Sequence, residues 1–256
     1  MIIVISPAKT LDMDFEKVAS RKVSEPLFIK QSSMLVKQLK LLKTADVRKL
    51  MGVSQKIAEL NQQRYQQWSL PFTKENAKPA LLAFKGDVYQ GMDVATFTRQ
   101  DFEFAQKHLR ILSGLYGCLR PMDLIQPYRL EMGTALKNQS GNNLYEFWGN
   151  SITEHLEEEI KGSKSKVLVN LASQEYFKSV HTRNLTAEIV TPVFKDYKNG
   201  QYKVISFLAK KARGMMCSYI IKNRINIPEE MLAFDEGGYR FDEKQSTLHE
   251  YIFLRK

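Results

Sequence analysis

Cysteine is scarce. The 256 residues hold only Cys118 and Cys217, without C-x-x-C spacing, which excludes a disulfide framework and a zinc ribbon. The four histidines are also far apart in the sequence, so a high-affinity iron or other transition-metal site is not expected, and no metal or cofactor is assigned. No apolar run approaches the roughly 18 residues of a membrane helix. The opening Met1 to Ser6 run lacks the basic start and cleavage site of a signal peptide. A cytoplasmic protein with no membrane partner is expected. Repeats, low-complexity tracts and a Pro-, Gly- or Ser-rich linker are all missing, which favours one domain over 1–256. G-x-S-x-G, H-E-x-x-H, P-loop and G-x-G-x-x-G patterns are missing as well, so no named chemistry is supported.

Acidic residues are scarce in one part of the chain. From Lys161 to Arg224 there are 13 Lys and Arg against Glu175, Glu188 and Asp196, a balance of +10 that equals the net charge of the whole protein. The rest of the chain cancels. Charge confined to one region is an electrostatic footprint for a polyanion, with scattered solubilising lysines as the plainer account. Phe194, Tyr197, Tyr202 and Phe207 lie among these cations and offer stacking surfaces, some of which the core can claim instead.

In chain order, Met1 to Ser6 predicts a buried strand, with Lys9 just beyond its end as an anion contact or an ordinary surface lysine. Leu35, Val36, Leu39 and Leu42 repeat at helical spacing. Residues 44–61 then read as a helix, a tight turn at Gly52 and a second helix capped by Ser54, with Lys56 in register. The spacing resembles a helix-hairpin-helix, with Ser54 in place of the second glycine. Either the start of the second helix offers its free N–H groups to a phosphate, or the segment is a plain helical hairpin.

Pro79 to Phe84 predicts a strand leading into a glycine-rich loop that begins at Lys85. Thr98 caps a helix to Lys107, and Leu109 to Tyr116 predicts a strand entering a turn at Gly117 to Pro121, with Arg110, Arg120 and Arg129 around it. An extended Tyr128 to Met132 places Arg129 and Glu131 on one face. Leu144 to Lys161 predicts one helix, on which His155 and Glu159 share either a divalent ion or a solvated face. Val167 to Ala172 predicts a strand, and Ser173 caps a helix bearing Glu175 and Lys178. Asn199-Gly200 signals a hairpin between Glu188–Lys195 and Tyr202–Phe207. A helix from Leu208 to Arg224 carries Lys210, Lys211 and Arg213 near its start, where the helix dipole opposes cations and a bound polyanion favours them. Two closing strands, near Gly237 to Phe241 and Leu248 to Leu254, complete an α/β (mixed α+β) domain with a mixed central sheet flanked by helices.

Several segments together resemble the YaaA family of peroxide-stress proteins. They are Ser6-Pro-Ala-Lys-Thr-Leu11, Phe84-Lys-Gly-Asp-Val-Tyr89, Leu112-Ser-Gly-Leu-Tyr-Gly117 with Leu119-Arg-Pro121, Gln126-Pro-Tyr-Arg-Leu-Glu-Met-Gly133, Asn170-Leu-Ala-Ser173 with Glu175-Tyr-Phe177, and Ala209-Lys-Lys-Ala-Arg-Gly214. The resemblance implies a cytosolic bacterial protein that limits damage from peroxide and free iron. It also implies DNA binding through a basic cleft and a helix-hairpin-helix, on a fold unlike the common superfolds.

Two readings of function follow. In the first, Lys9, Lys85, Arg110, Arg120, Arg129, Lys178, Lys210, Lys211 and Arg213 join Gly52, Ser54 and Lys56 in gripping DNA phosphates with little sequence specificity. In the second, an enzyme takes a small anionic or nucleotide substrate, with Glu131, Glu175 and Lys210 as its acid, base or anchor. An iron-binding role is a third reading, against which the scattered His and Cys weigh.

Overall fold

The first strand sets the architecture. In the computed structural model, which describes residues 1–14 and 22–256, β1 (Ile2–Ile5) is buried at every position, as an apolar run without polar alternation requires. β2 (Thr10–Leu11) follows, then α1 (Ile29–Lys40), α2 (Thr44–Met51) and α3 (Gln55–Gln67). α2 ends at Gly52 in the left-handed region (φ 58°), and Ser54 accepts from the Ile57 N–H at the start of α3, so the helix, turn and cap fall where the sequence puts them. Leu35, Val36 and Leu39 of α1 point into the core.

Pro79 to Phe84 corrects an expectation. Only β3 (Lys78–Pro79) is extended there, and α4 (Ala80–Ala83) turns at once into a short helix. Ala-Leu-Leu-Ala has no β-branched residue and strong helix propensity, which outweighs its uniform burial. The loop expected to begin at Lys85 is also short. β4 (Phe84–Lys85) gives way after Gly86 to α5 (Asp87–Met92), so Gly91 lies within a helix and lines no phosphate cradle.

Thr98 caps α6 (Arg99–His108) in a reciprocal box with Asp101. β5 (Leu109–Ser113) follows directly, and the chain reverses at residues 114–116 into β6 (Gly117–Leu119), so the reversal comes before the Gly117 to Pro121 turn read from the sequence, and Gly117–Leu119 is strand. β7 (Leu124–Ile125) pairs with β3. The single helix expected from Leu144 is two, α7 (Leu144–Trp148) and α8 (Ser151–Gly162), broken at Gly149 (φ 46°, ψ −125°). β8 (Val167–Leu171), α9 (Gln174–Phe177), β9 (Glu188–Lys198), β10 (Gln201–Lys203) and α10 (Ser206–Lys222) follow. β11 (Arg240–Phe241) and β12 (Glu250–Arg255) close the chain.

Among the described residues the main sheet runs β11-β12-β9-β8-β1-β5-β6, with β10 on β9. β1 pairs in parallel with both β5 and β8, β9 continues parallel to β8, and β6 is antiparallel. The carboxyl ends of β1, β5, β8 and β9 therefore share one edge. Strand order diverges on either side of β1, and in open sheets such a switch point is where ligands are held.

Two core contacts depend on glycine. α5 crosses α10 so closely that a Cβ on Gly214 would lie 1.8 Å from the Val88 carbonyl oxygen, and one on Gly91 would lie 2.0 Å from that of Lys211.

Two histidines are half-buried against aromatic rings. His108 stacks on Phe104 at 4.1 Å, with Nδ1 2.9 Å from the Met1 carbonyl oxygen, and His155 packs edge-on to Phe28. Burial, first among the causes, lowers both imidazoles from the ordinary 6.5. The unfolded chain then binds protons that the folded chain refuses, so stability rises with pH across that window. Urea unfolding should show lower stability at pH 5.5 than at 7.5, and His108→Gln should reduce the difference.

Candidate functional site

The polar groups gather at the carboxyl edge of the sheet. Ser6 and Ser173, which follow β1 and β8, meet across the switch point. The Ser173 N–H donates to Ser6 Oγ at 2.9 Å, and the two hydroxyls are 3.3 Å apart. Ser173 makes no side-chain cap to α9, so its expected role there is corrected: it ties strand ends together. The buried Tyr89 hydroxyl donates to the Ser6 carbonyl at 3.1 Å, fixing that end from below.

Lys9 and Arg129 converge on one carboxylate oxygen. Lys9 Nζ lies 3.2 Å, and Arg129 Nη2 2.9 Å, from Glu131 Oε1. Arg129 and Glu131 do share a face, although Tyr128 to Met132 belongs to no strand. Gly114, at the end of β5, admits this segment, because a Cβ there would lie 2.3 Å from the Leu130 carbonyl oxygen.

A second cationic pair sits on the neighbouring β2–β4 ribbon, where Asp12 holds Lys85 at 2.7 Å and the buried Lys78 at 3.5 Å. The Lys85 hydrogen bond, with further help from the Asp14 N–H, keeps the Asp12 carboxyl far below the usual carboxylate range. In each cluster two cations outnumber one anion.

Beyond Glu131, the Gly133 N–H donates to Glu175 Oε1 at 3.0 Å, and the Tyr145 hydroxyl donates to the Glu175 carbonyl at 2.9 Å. Lys178 lies 4.9 Å from the centre of the Tyr145 ring, a cation–π contact. A cleft of about 690 Å³ opens past Lys178, between α9 and residues 180–184.

The α2–α3 hairpin touches this edge. The Tyr65 hydroxyl donates to the Arg129 carbonyl and lies 3.9 Å from Met51 Sδ, at the last residue before the turn. Gly52, Ser54 and Lys56 are exposed, and a Cβ on Gly52 would meet nothing within 4 Å.

Not every expected cation belongs here. Arg110 is corrected: it is 4% exposed, at the start of β5 and so toward the opposite edge. Its guanidinium is consumed by Glu159, at 2.7 and 2.5 Å, and by the carbonyls of Leu109 and Gln106 at 2.6 and 3.1 Å. Glu159 is thereby removed from the solvated face expected for α8, and His155 Nε2 lies 3.5 Å from it. Arg120 is bound to the buried Asp123 at 2.9 Å and borders a separate cleft with Gln106 and Met122. Phe194 is 1% exposed and stacked on Phe253, so it is core and offers no stacking face.

Lys210 and Lys211 are exposed near the start of α10, with no carboxylate within 4 Å among the described residues. Arg213 is half-buried, and burial lowers its pKa.

The three residues suggested for acid–base work do not converge. Glu131 is held by Lys9 and Arg129, Glu175 by the Gly133 N–H, and Lys210 makes no ion pair with either. Ser6 and Ser173 bond to each other, with no imidazole or carboxylate bonded to either hydroxyl among the described residues. Among the described residues no three His, Cys, Asp or Glu side chains gather in a metal-ligating group, and no helix is long and apolar enough to cross a membrane.

Ser6, Asp12, Tyr65 and Tyr145 were not read as site residues. Two apolar strands that each end in serine were the available signal for Ser6 with Ser173. Nothing local marks Asp12, Tyr65 or Tyr145, whose partners lie far along the chain.

The chain is 55% identical over 256 residues to a UPF0246 protein of Aliivibrio fischeri, covering 100% of this chain and 98% of the relative. It is 54% identical to UPF0246 proteins of Teredinibacter turnerae and Saccharophagus degradans, covering 100% of both sequences in each case. The family model described as peroxide stress protein YaaA matches residues 1–245. With that match over nearly the whole chain and full-length relatives above half identity, the protein belongs to the peroxide stress protein YaaA family.

Proposed function

We propose that this peroxide-stress protein binds DNA, duplex or branched, through its phosphates and with little regard to sequence. One observation carries the reading: the α2–α3 hairpin, whose exposed turn holds Gly52, Ser54 and Lys56, is tied through the Tyr65 hydroxyl to the Arg129 backbone, and Arg129 shares Glu131 with Lys9. The first N–H groups of α3 have no partners within their helix, and a helix start with a nearby lysine is a phosphate site that reads no base. Lys85, Lys178, Lys210 and Lys211 extend the positive surface. Glu131 holds Lys9 and Arg129, Asp12 holds Lys85 and Lys78, and each carboxylate is outnumbered by its partners.

The peroxide connection has a physical route. Cations that bind a phosphate backbone displace its condensed counterions, ferrous iron among them, and peroxide then meets less iron on the DNA. Cytoplasmic placement accompanies this reading.

The test is a salt titration. With about six phosphates neutralised, duplex affinity should fall roughly 10³-fold between 50 and 200 mM salt; a flat titration refutes the proposal. Glu131→Gln provides the second arm. Releasing Lys9 and Arg129 from their shared carboxylate should raise low-salt duplex affinity about threefold, in the range of one surface charge interaction. An acid–base site predicts no such gain.

A further inference from the structure

β9 outruns its neighbour. It leaves β8 after Val190 and continues to Lys198, so the β9–β10 hairpin reaches roughly 20 Å past the carboxyl end of β8, at about 3.3 Å per residue. That is the edge on which Ser6, Lys9, Ser173 and Lys178 lie. The tip is a tight turn with Asn199 and Gly200 both at positive φ, 53° and 80°.

The projecting part carries uncovered aromatic surface. Tyr197 and Tyr202 stand directly opposite each other, with ring centroids 5.2 Å apart at 65°. Tyr197 is 50% exposed, and Phe207 in the first turn of α10 is 61% exposed. Burying such a side chain is ordinarily favourable, so leaving them in water calls for an explanation that scattered lysines do not need.

The charge around them is of one sign. Between Tyr197 and Pro228 the chain has seven Lys and Arg and no acidic residue. Asp196, the acid before that stretch, is turned inward under Arg255 and Tyr239. A membrane surface fits poorly, because the tip Lys198-Asn-Gly-Gln201 is polar and an inserting loop needs apolar residues at its tip.

We infer that this hairpin and the start of α10 form a stacking platform for unpaired nucleotides. Tyr197, Tyr202 and Phe207 take bases on their ring faces, and Lys198, Lys210 and Lys211 hold the phosphates between them. Every base has a π-face, so the platform is indifferent to sequence. The inference rests on the DNA-binding reading and sharpens its partner to duplex that continues into a single strand.

Fluorescence anisotropy on three labelled probes tests it: a blunt duplex, the same duplex with a single-stranded tail of about six nucleotides, and the tail strand alone. The tail should tighten binding about tenfold, the scale of one or two stacked bases. Tyr197→Ala with Phe207→Ala should abolish that gain and leave blunt-duplex affinity within about twofold of wild type, while Tyr197→Phe keeps it. A tail that adds nothing, or a gain that survives in the double variant, overturns the inference and leaves duplex binding standing. If the blunt duplex does not bind, the duplex reading fails, and the single-strand probe still decides the hairpin. Phosphatidylglycerol vesicles are the remaining arm: binding to them that the double variant loses, with no loss on the tailed probe, assigns the platform to membranes and overturns the inference.

Discussion

Arg110→Met should lower the stability of the folded chain by about 3–5 kcal/mol and leave the salt dependence of duplex binding unchanged. The guanidinium is 5% exposed and makes a forked contact with Glu159, whose side chain is 21% exposed. It also donates to Gln106 O and Lys107 O, carbonyls in the last turn of α6. One side chain thus ties β5 to α8 and satisfies the unpaired end of a helix. Removing it leaves a largely buried carboxylate and several buried carbonyls without partners, the expensive case for both charges and hydrogen bonds.

Arg110→Lys should recover only part of the loss, because an ammonium cannot reproduce the fork. Replacing both Arg110 and Glu159 with Met should cost less than the sum of the single changes, since no charge is then left alone. Urea unfolding of wild type, the three single variants (Glu159→Met included) and the double variant measures this directly. A loss below about 1 kcal/mol, the scale of a surface ion pair, together with a weaker salt dependence, would return Arg110 to the proposed DNA-binding surface.

Gly214→Ala should be at least as damaging, by about 3 kcal/mol or more. Alanine is the better helix former by about 1 kcal/mol, so propensity alone predicts stabilisation of α10. Packing predicts the opposite and is the larger effect: the new Cβ would sit 1.8 Å from Val88 O and 2.8 Å from Met92 N, both backbone atoms that no rotamer change can move. The helices must separate, and the buried side chains of α5 (Val88, Tyr89 and Met92) lose their close fit.

Gly52→Ala is the control. Its Cβ would meet open space, and only the positive φ of 58° is strained, for about 1–2 kcal/mol. Thermal unfolding should therefore rank the variants with Gly214→Ala well below Gly52→Ala. The reverse order would mean that α5 and α10 are not in backbone contact.

These two sites also show where sequence reading stops. Turn and cap chemistry is local, so Gly52, Ser54, Thr98 and Asn199-Gly200 were legible from a few residues each, as were the apolar strands β1 and β8. Arg110 was misplaced because its partner is 49 positions away, and an arginine without a visible partner is assigned to the surface by default. Gly91 raised the opposite difficulty: it was read into a glycine-rich loop, and here, like Gly214 within its helix, it marks an approach between helices that are distant in the chain.

The candidate site was half legible for the same reason. Lys9, Lys85, Arg129, Glu131, Glu175 and Lys178 were singled out because charged residues near strand ends are conspicuous. Their grouping depended on the order of strands in the sheet, which local patterning does not encode.

β1 has a further consequence, for synthesis. Its partners on the two sides are Leu109–Ile111 and Leu168–Leu171, so a nascent chain carries Ile2–Ile5 with both hydrogen-bonding edges open until residue 111 has left the ribosome, and with one edge open until residue 171 has. At about 5–20 residues per second that wait is on the order of ten seconds or more. Throughout it, an apolar ribbon that ends up at the centre of the molecule is its most adhesive part, and holding it out of reach of other chains is work for whatever binds the emerging polypeptide.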